Sequence, residues 1–477
     1  MKRLSGWDAV LLYSETDNVH MHTLKVAVIE LDAERRGFTI EQFRKVLHGR
    51  LYKLEPFRFR LVDIPYKFHH PMWQENADVD LDYHVRPWRL PEPGGRRELD
   101  EAIGEIASTP LDRSRPLWEM YFIEGLANHR IAVVGKIHHA LADGIASANL
   151  MAQGMDLQRG RQVERHDFPT EPAPTKGQLM RSAFRDHLRQ LGRVPTTVRY
   201  TAAGLSRVRR SGRRLSPELT RPFSPPPTFM NHVLTPQRRF ATATLSLADI
   251  KETSKKLGAT LNDVVLAIST GALRNLLLHY DGSADRPLLA SVPMGFDFSA
   301  ERIWGNKFSG VLVGLPVNVE DPLQRVAEVH EAATEAKATN QLIGPELVNR
   351  WAAYFPPAGM EALFRRLASS EGQNKTLNLN ISNVPGPREP GRVGGALVTE
   401  IYSVGPLTAG SGLNITVWSY VDQLNISVLA DAATLKDPHE VTDAMVAEFI
   451  EIRRAAGLSE QLTAVPEAMA PVSAPTP

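Results

Sequence analysis

The segment IAVVGKIHHALADG, residues 131–144, joins an apolar run to a histidine pair and an Asp-Gly step. The run at residues 131–137 predicts a buried strand that leads directly into His138 and His139. Residues 145–155 then predict a helix. Because a neutral imidazole accepts protons well near pH 7, His139 is a candidate general base.

The residues after the histidine pair make the segment more specific. The Asp143 carboxylate can hold the turn that follows His139 in shape without touching the base, and Gly144 permits a close backbone approach or a positive φ. A histidine pair alone carries little information, since a second pair, His69-His70, lacks the Asp-Gly step. The inference therefore rests on His139 with Asp143 and Gly144, and no role follows for His138.

Composition limits the chemistry of the chain. The 477 residues are 43% apolar and 23% charged with a formal net charge of +1, which is ordinary for a globular protein. The chain contains no cysteine, so disulfides, thiolate nucleophiles and iron–sulfur clusters are excluded. Histidine and aspartate could bind zinc, but no third ligand follows a spacing such as HExxH. We therefore predict no metal site.

No part of the sequence predicts a secretory signal or a spanning helix. Asp8 and a Ser-Gly pair interrupt the N-terminus before an apolar core forms. The most apolar window, residues 261–278, contains Asn262, Asp263 and Arg274 and reads as a buried helix. We expect a cytoplasmic protein that meets a membrane or lipid droplet only at its surface.

The chain divides into four parts. Residues 1–158 mix strands and helices and form an N-terminal lobe that carries the histidine segment. Residues 159–237 form a basic, helical and Pro-rich linker, and residues 238–460 form a C-terminal lobe. The Ala/Pro-rich tail at residues 461–477 is predicted to be disordered.

The linker is strongly basic. Residues 176–214 contain eleven Lys/Arg and one acidic residue, Asp186, and Met180, Phe184, Leu188 and Leu191 recur at helical spacing. Three interpretations remain: a solvated linker, a nucleic-acid patch, or a helix on an anionic membrane or lipid-droplet surface. No aromatic interleaving or binding module supports nucleic acid, so we expect no nucleic-acid partner.

Five segments together carry a family resemblance. HHxxxDG after a strand resembles the signature of the chloramphenicol-acetyltransferase-like acyltransferases, which include peptide-synthetase condensation domains and plant acyltransferases. The other four resemble the bacterial wax ester synthase/diacylglycerol acyltransferase family. They are LSGWDA (4–9) with Tyr13 and Glu15, RPLW (115–118), NDVVLA (262–267) and SNVPGP (382–387).

The resemblance implies an α/β (α+β) fold of two lobes, each a mixed sheet packed with helices, with an active-site tunnel between them. It implies that acyl-CoA is a co-substrate, that no cofactor is needed, and that diacylglycerol or a fatty alcohol is the acceptor. His139 would be the base and Asp143 structural. In the wider group this aspartate pairs with an arginine, and Arg60 and Arg58 are the candidates.

Other residues of these segments have structural explanations as well. Thr260 with Asp263 predicts a helix N-cap, which leaves Asn262 freer to face the cleft, and both are expected to shape the active site. Pro116, Leu117 and Trp118 either line the acyl path or belong to the core. Ser382 and Asn383 lie in a turn-rich segment that is either a plain turn or a loop near CoA.

Two alternatives remain open. One is another CoA- or carrier-dependent condensation-type acyltransferase, although no carrier-protein or adenylation segment is attached. The other is a non-catalytic protein that binds lipid surfaces through the basic helix. Oligomeric state and acyl chain length are not predicted.

Overall fold

The computed structural model describes residues 1–33, 35, 37–155, 170, 172–211, 225–369, 376–465 and 468–469. Two six-stranded mixed sheets, each packed with helices, form the two expected lobes, and a small three-stranded sheet lies beside the first. The fold class predicted from the sequence is therefore confirmed.

The elements up to the linker helix are these: β1 (Lys2–Arg3), α1 (Gly6–Tyr13), β2 (His22–Glu30), α2 (Ile40–His48), β3 (Arg60–Val62), β4 (Met72–Gln74), α3 (Leu81–His84), β5 (Val85–Arg89), α4 (Arg96–Ala107), β6 (Trp118–Leu126), β7 (Arg130–His138), α5 (Gly144–Gly154) and α6 (Lys176–Arg210).

The elements that follow are these: β8 (Arg238–Ser246), α7 (Leu247–Leu257), α8 (Leu261–Tyr280), β9 (Leu288–Gly295), β10 (Phe308–Leu315), α9 (Pro322–Ile343), α10 (Leu347–Ala352), α11 (Pro357–Ser369), β11 (Leu379–Pro385), β12 (Arg392–Val393), β13 (Ala396–Val404), β14 (Leu413–Tyr420), β15 (Gln423–Asp431) and α12 (His439–Ala455).

The N-terminal sheet has the strand order β12-β13-β2-β7-β6-β5. Strand β7 lies near its centre, and its residues from Ile131 to His138 are all buried, which explains their continuous apolar character. Strand β13 pairs antiparallel with β2. The boundary predicted for the second lobe is therefore wrong at residues 392–404, because these strands cross over and cover an edge of β2 that would otherwise be open.

The C-terminal sheet has the order β10-β9-β11-β14-β15-β8. Helix α8 packs against it, and thirteen of its residues are buried. By length and composition α8 could cross a membrane, but 72% of its apolar window is buried inside the protein, as in a core helix. The predicted cap is confirmed, since Thr260 and Asp263 form a capping box.

The described part of the predicted linker is dominated by α6, a helix of 35 residues. It packs on both lobes: Arg3 Nε donates to Asp186 at 2.9 Å, and a Cβ on Gly204 would lie 2.3 Å from the carbonyl of Ile343 in α9. Residues 156–169, 171 and 212–224 of the predicted linker region lie outside the described residues.

The predicted disordered tail is wrong at two described positions, Thr463 and Met469. The Thr463 N–H donates to Asp249 Oδ2 at 2.7 Å. Met469 is buried; its backbone N–H donates to Glu400 at 2.7 Å, and its carbonyl accepts from Arg96 at 2.7 Å. Two buried charged groups therefore hold this part of the tail against the N-terminal lobe. Residues 466–467 and 470–477 lie outside the described residues.

Candidate active site

His139 lies immediately after β7, on the wall of a cavity between the two lobes. Its backbone N–H donates to Met21 at 2.7 Å, which extends the β2–β7 pairing beyond the end of the strand. Its carbonyl accepts from the side chain of Asn306 at 2.8 Å. The two lobes therefore both fix the backbone of this histidine.

The ring of His139 is suited to be a neutral base. Burial, together with the nearby Lys25 ammonium, lowers the pKa of His139 to about 4 against the opposing effects of its own backbone carbonyl and of Asp143. The ring packs beside Phe308, with centroids 5.8 Å apart. Because Nδ1 is buried, Nε2 is the nitrogen available to a molecule in the cavity.

Asp143 pairs with an arginine, but with neither of the predicted ones. Arg302 Nη1 lies 3.0 Å from Asp143 Oδ2, and Arg302 Nη2 donates to Oδ1 at 3.0 Å. Arg60 instead donates to Gln74 at 2.7 Å, and Arg58 is buried at the end of the turn Glu55–Arg58. The prediction of Arg60 or Arg58 is wrong because the partner comes from the other lobe, 159 residues away.

A strap of the C-terminal lobe, residues 302–307, holds the histidine motif. Gly305 N–H donates to the Leu141 carbonyl at 2.6 Å, and the Lys307 N–H donates to Asp143 Oδ2 at 2.8 Å. Asn306 also ties the buried carboxylate of Asp8 to the motif, since its side chain donates to Asp8 at 2.8 Å. The strap thus supplies donors to the buried Leu141 carbonyl and to the buried carboxylates of Asp8 and Asp143 across the junction between the lobes.

Asp143 and Gly144 also start helix α5. Asp143 is its N-cap, and Oδ1 accepts from the Ala146 N–H at 2.8 Å. A Cβ on Gly144 would lie 2.9 Å from Val384 Cγ2, so glycine permits close approach to the end of strand β11. Close packing, one of the two explanations open from sequence, accounts for this glycine.

His138, which had no role from sequence, is fully buried beside Glu15. His138 Nδ1 accepts from the Ala140 N–H at 3.0 Å, so its proton lies on Nε2, which is 3.2 Å from Glu15 Oε2. Glu15 also accepts from the Met21 N–H at 3.1 Å and from Arg113 at 3.0 Å. Its neighbours His138 and Arg113 hold the pKa of Glu15 well below its usual range despite burial.

The cavity beside His139 occupies about 1360 Å³ including its open mouth. Four residues predicted from separate segments lie on its wall with His139, Asp143 and Gly144: Asn262, Asp263, Ser382 and Asn383. Asn383 Nδ2 lies 3.5 Å from Asn262 Oδ1. Asp263 Oδ2 also lies 2.7 Å from His330 Nδ1. Lys337 lies on the exposed rim.

Pro116, Leu117 and Trp118 lie outside this cavity wall. Trp118 is fully buried, stacks on Phe57 at 4.5 Å, and donates from Nε1 to the Phe57 carbonyl at 2.8 Å. The Leu117 carbonyl accepts from the His138 N–H at 3.0 Å, and the Pro116 carbonyl from the Trp118 N–H at 2.8 Å. The core interpretation left open by the sequence therefore applies to these residues.

Sequence reasoning missed Arg302, Asn306 and Lys25 and left Glu15 without a function. Lys25 is a buried lysine of β2 whose Nζ donates to Ser403 at 2.5 Å, and burial lowers the pKa of Lys25 to about 7. An isolated lysine within a Val/Ile-rich strand was the only available signal. Among the residues that the structure describes, no three His, Asp or Glu side chains come together as a metal-binding group.

Comparisons with known proteins show the family of the chain. The model of the wax ester synthase/diacylglycerol acyltransferase catalytic domain matches residues 4–265, and that of the family's C-terminal domain matches residues 304–453. A protein of Mycobacterium tuberculosis (strain ATCC 25618 / H37Rv) with a provisional name as a diacylglycerol O-acyltransferase is 73% identical over 470 residues, covering 98% of this chain and 100% of the relative. Another protein from that strain, named in the same way, is 35% identical, and the match covers 96% of this chain and 98% of the relative.

Solved structures are similar over the whole chain. The wax ester synthase/diacylglycerol acyltransferase from Marinobacter aquaeolei VT8 superimposes with a TM-score of 0.69 at 27% identity, covering 96% of this chain and 100% of that one. The starter condensation domain of rhizomide synthetase shares the fold with a TM-score of 0.56 at 14% identity, covering 97% and 95%. The chain belongs to the wax ester synthase/diacylglycerol acyltransferase family of acyltransferases.

Proposed function

We propose that this protein transfers a long-chain acyl group from acyl-CoA to the hydroxyl of diacylglycerol, a fatty alcohol or both, with His139 as general base. The observation that carries the proposal is the His139 ring on the wall of an inter-lobe cavity, with a depressed pKa and its backbone held by both lobes. Family membership supports the reaction class.

The reaction needs no acyl-enzyme. His139 Nε2 removes the proton of the acceptor hydroxyl as its oxygen attacks the thioester carbonyl, and the C–O bond forms. The tetrahedral oxyanion then collapses and the C–S bond breaks. The imidazolium returns its proton to the leaving thiolate, which leaves ester, CoA and neutral His139. Acyl-CoA acts as a co-substrate, and this mechanism uses no further cofactor.

The cavity wall divides into regions with different chemistry. Val292, Met294 and Phe298 contribute apolar surface, whereas Ser382 and Asn383 carry polar groups near the reacting centre. Both lie in strand β11 rather than in the turn or loop expected from the sequence. We assign this polar part of the strand to the thioester and pantetheine, and the exposed Lys337 on α9 to the CoA phosphates at the mouth. Asn262 and Asp263 shape the wall; the capping box and His330 hold Asp263 in place.

We also propose that α6 docks the enzyme on an anionic lipid surface. Its buried side faces the protein, but Phe184, Leu188, Leu191, Val198 and Leu205 lie on another face and are 48–67% exposed. Eight arginines of this helix lie beside or within the exposed apolar stripe, most of them along one side of it: Arg181, Arg185, Arg189, Arg193, Arg199, Arg207, Arg209 and Arg210. A second copy of this helix would be repelled, because its arginines carry the same charge. Anionic lipid headgroups would instead neutralise the arginines.

Release of free CoA thiol from palmitoyl-CoA, with diacylglycerol and then hexadecanol as acceptor, tests the reaction. We expect release that depends on the acceptor and falls on the order of a hundred- to ten-thousand-fold in His139→Ala. His279→Ala, which removes an exposed histidine of α8, is the matched control and should keep full activity.

Three outcomes would contradict the proposal. A folded His139→Ala protein with full activity would remove the base from the mechanism. Absence of acceptor-dependent thiol release in the wild type, with binding to lipid preserved, would favour a non-catalytic lipid-surface protein instead. Activity only with a carrier-bound acyl group would favour another condensation-type enzyme.

A further inference from the structure

A second cavity, the sheet-face cavity, lies in the N-terminal lobe away from the cavity around His139. It encloses about 100 Å³, or about 740 Å³ with the space at its open mouth included, and lies between one face of the sheet and helices α2 and α5. Apolar side chains make up most of its wall, among them Ala27, Phe43, Leu47, Val133, Leu150 and Met151. Such a lining suits an apolar ligand.

The sheet-face cavity runs toward the catalytic histidine. Val133, Gly135 and Ile137 alternate along β7 and line it, and His139 is the next residue in this alternation. The His139 backbone continues the pairing with β2 through Met21. At about 3.3 Å per residue, the wall from His139 back to Val133 is about 20 Å long.

Helix α5 forms the wall opposite strand β7, and it also leads away from His139. Its first residues, Gly144 and Ile145, line the catalytic cavity, whereas Leu150, Met151 and Gly154 line the sheet-face cavity. Ten residues of helix separate Gly144 from Gly154, which is about 15 Å. Both walls therefore lead away from the base over a distance similar to one leaflet of a bilayer's hydrocarbon core, about 15 Å.

Two basic residues, Lys25 and Arg50, belong to the wall of the sheet-face cavity. Lys25 is buried; Asp143 and His139 are both within its electrostatic reach, and its Nζ lies 5.2 Å from the Trp418 ring centroid in the other lobe. Arg50 lies beside Gly154, near the end of helix α5, and donates to the Gly154 carbonyl. A ligand with a polar group beside Lys25 and an alkyl chain toward Gly154 would match this arrangement.

We propose that the sheet-face cavity binds the unbranched alkyl chain of a long-chain substrate, with the chain's reacting end beside Lys25 and His139. This inference rests on the proposed acyl transfer and adds the site that determines which chain length the enzyme prefers. Three methionines on the wall, Met120, Met151 and Met155, give it an adaptable surface for chains of different length.

Two glycines offer a direct way to fill the sheet-face cavity. A Cβ on Gly135 would make only ordinary contacts, at 3.7 Å to the Lys25 carbonyl and 4.0 Å to its Cβ, and a Cβ on Gly154 would lie 4.0 Å from Leu54. Side chains at these positions therefore enter the cavity without moving the backbone. Gly135 lies nearer to His139 than Gly154, so the two substitutions should block chains at different depths.

The first measurement is binding of the fluorescent fatty acid cis-parinaric acid. Wild type and His139→Ala should bind it alike, because the base is not needed to hold a chain. Gly135→Leu should bind at least about tenfold more weakly, since each methylene kept in water costs about fourfold in affinity. Gly310→Val is the matched control: this exposed strand glycine would meet only Ser291 Oγ at 3.4 Å, and binding should not change.

The second measurement identifies which substrate, the acyl donor or the alcohol acceptor, places its alkyl chain in the sheet-face cavity. Acyl-CoA donors from octanoyl to stearoyl are compared at a fixed acceptor, and alcohols of the same lengths at a fixed donor. Gly135→Leu should shift the preferred length toward shorter chains in one series, and Gly154→Leu should shift it less. A shift in the donor series assigns the cavity to the acyl group, and a shift in the alcohol series assigns it to the acceptor.

A folded Gly135→Leu protein with unchanged binding of the fatty acid and unchanged preference in both series would overturn the inference. Circular dichroism and thermal unfolding establish that the variant is folded. Failure of the proposed function gives a different result: no thiol release by the wild type, while cis-parinaric acid still binds and Gly135→Leu still weakens that binding.

Discussion

Arg302 holds the two carboxylate oxygens of Asp143 with two guanidinium nitrogens, each at 3.0 Å. Asp143 belongs to the turn after His139, and Arg302 belongs to the strap from the opposite lobe. The pair is nearly buried, with side-chain exposures of 4% and 10%. The geometry of the catalytic turn therefore depends on contact between the lobes.

Replacing Arg302 with methionine should destabilise the fold and reduce turnover. The buried Asp143 carboxylate would lose its charged partner and keep only backbone N–H donors, a change that typically costs about 3–5 kcal/mol. Because the turn after His139 would lose its anchor, kcat should fall more than KM rises. Chemical denaturation and steady-state kinetics measure the two effects.

Two companion variants test the cause. Asp143→Asn combined with Arg302→Met removes the uncompensated charge and should recover part of the stability. Arg454→Met, at an exposed arginine of α12, should leave both stability and activity unchanged. Equal effects of Arg302→Met and Arg454→Met would contradict the positioning role.

Glu15→Ala should lower stability and kcat together. Glu15 accepts from the Met21 N–H, and the Met21 carbonyl accepts from the His139 N–H, so one buried carboxylate supports both motif histidines. Leaving such donors unsatisfied costs about 1–3 kcal/mol. Glu15→Gln keeps an acceptor and should retain more activity, while the exposed Glu101→Ala should behave as wild type. Unchanged kinetics in Glu15→Ala would refute the link.

The pH dependence of kcat/KM should lack the usual histidine limb near pH 6.5. Burial lowers the pKa of His139 to about 4, so the imidazole stays neutral and able to accept a proton well below that pH. Initial rates between pH 4 and 8, at substrate concentrations far below KM, report the free enzyme. A midpoint near 6.5 would show that His139 is more accessible to water than its packing implies.

The free energy of unfolding must be measured over the same pH range, because other buried histidines also bind protons as the pH falls. Burial lowers the pKa of His69 and His70 to about 4 in the folded protein. Between pH 6.5 and 4 the unfolded chain binds more protons at these residues, so stability falls as the pH falls, by up to about 1.4 kcal/mol per pH unit for each histidine. The free energy of unfolding at each pH separates this loss from catalysis.

Leu188→Glu combined with Leu191→Glu should weaken binding to anionic vesicles at least about tenfold. These side chains are 55% and 67% exposed on α6 and would otherwise enter the acyl boundary of the lipid. Binding to phosphatidylglycerol vesicles, measured by sedimentation, should also weaken with added salt because arginines flank the stripe. Thiol release with detergent-dispersed acceptor should be unaffected.

Leu278→Glu is the matched control for this experiment. Leu278 is 44% exposed on α8, away from the arginine-rich helix, and its substitution should not change vesicle binding. Equal binding by the α6 double variant and the wild type would contradict the surface proposal.

Lys337→Glu should raise KM for palmitoyl-CoA several-fold and leave kcat nearly unchanged. Lys337 lies on the exposed rim of the catalytic cavity, where a charge reversal would repel the CoA phosphates without touching His139. Lys251→Glu, at an exposed position of α7, is the control. If Lys337→Glu and Lys251→Glu had the same KM for palmitoyl-CoA, Lys337 would not contact the CoA phosphates.

Local sequence patterns were sufficient for several elements. The apolar run at residues 131–137 predicted the central strand β7, and Thr260 with Asp263 predicted the start of α8. Such features depend on neighbours within a few residues, through strand burial and the capping of free N–H groups. For the same reason, HHxxxDG located the candidate base without any knowledge of the other lobe.

The tertiary structure decided which distant residues complete the site. Arg302 replaced Arg58 and Arg60 as the partner of Asp143, β13 joined the N-terminal sheet, and Met469 docked against Arg96. Each contact joins groups that lie far apart in the chain and depends on how the two lobes pack. No local periodicity encodes such a pairing, because burial leaves charged groups and strand edges in need of partners wherever the folded chain supplies them.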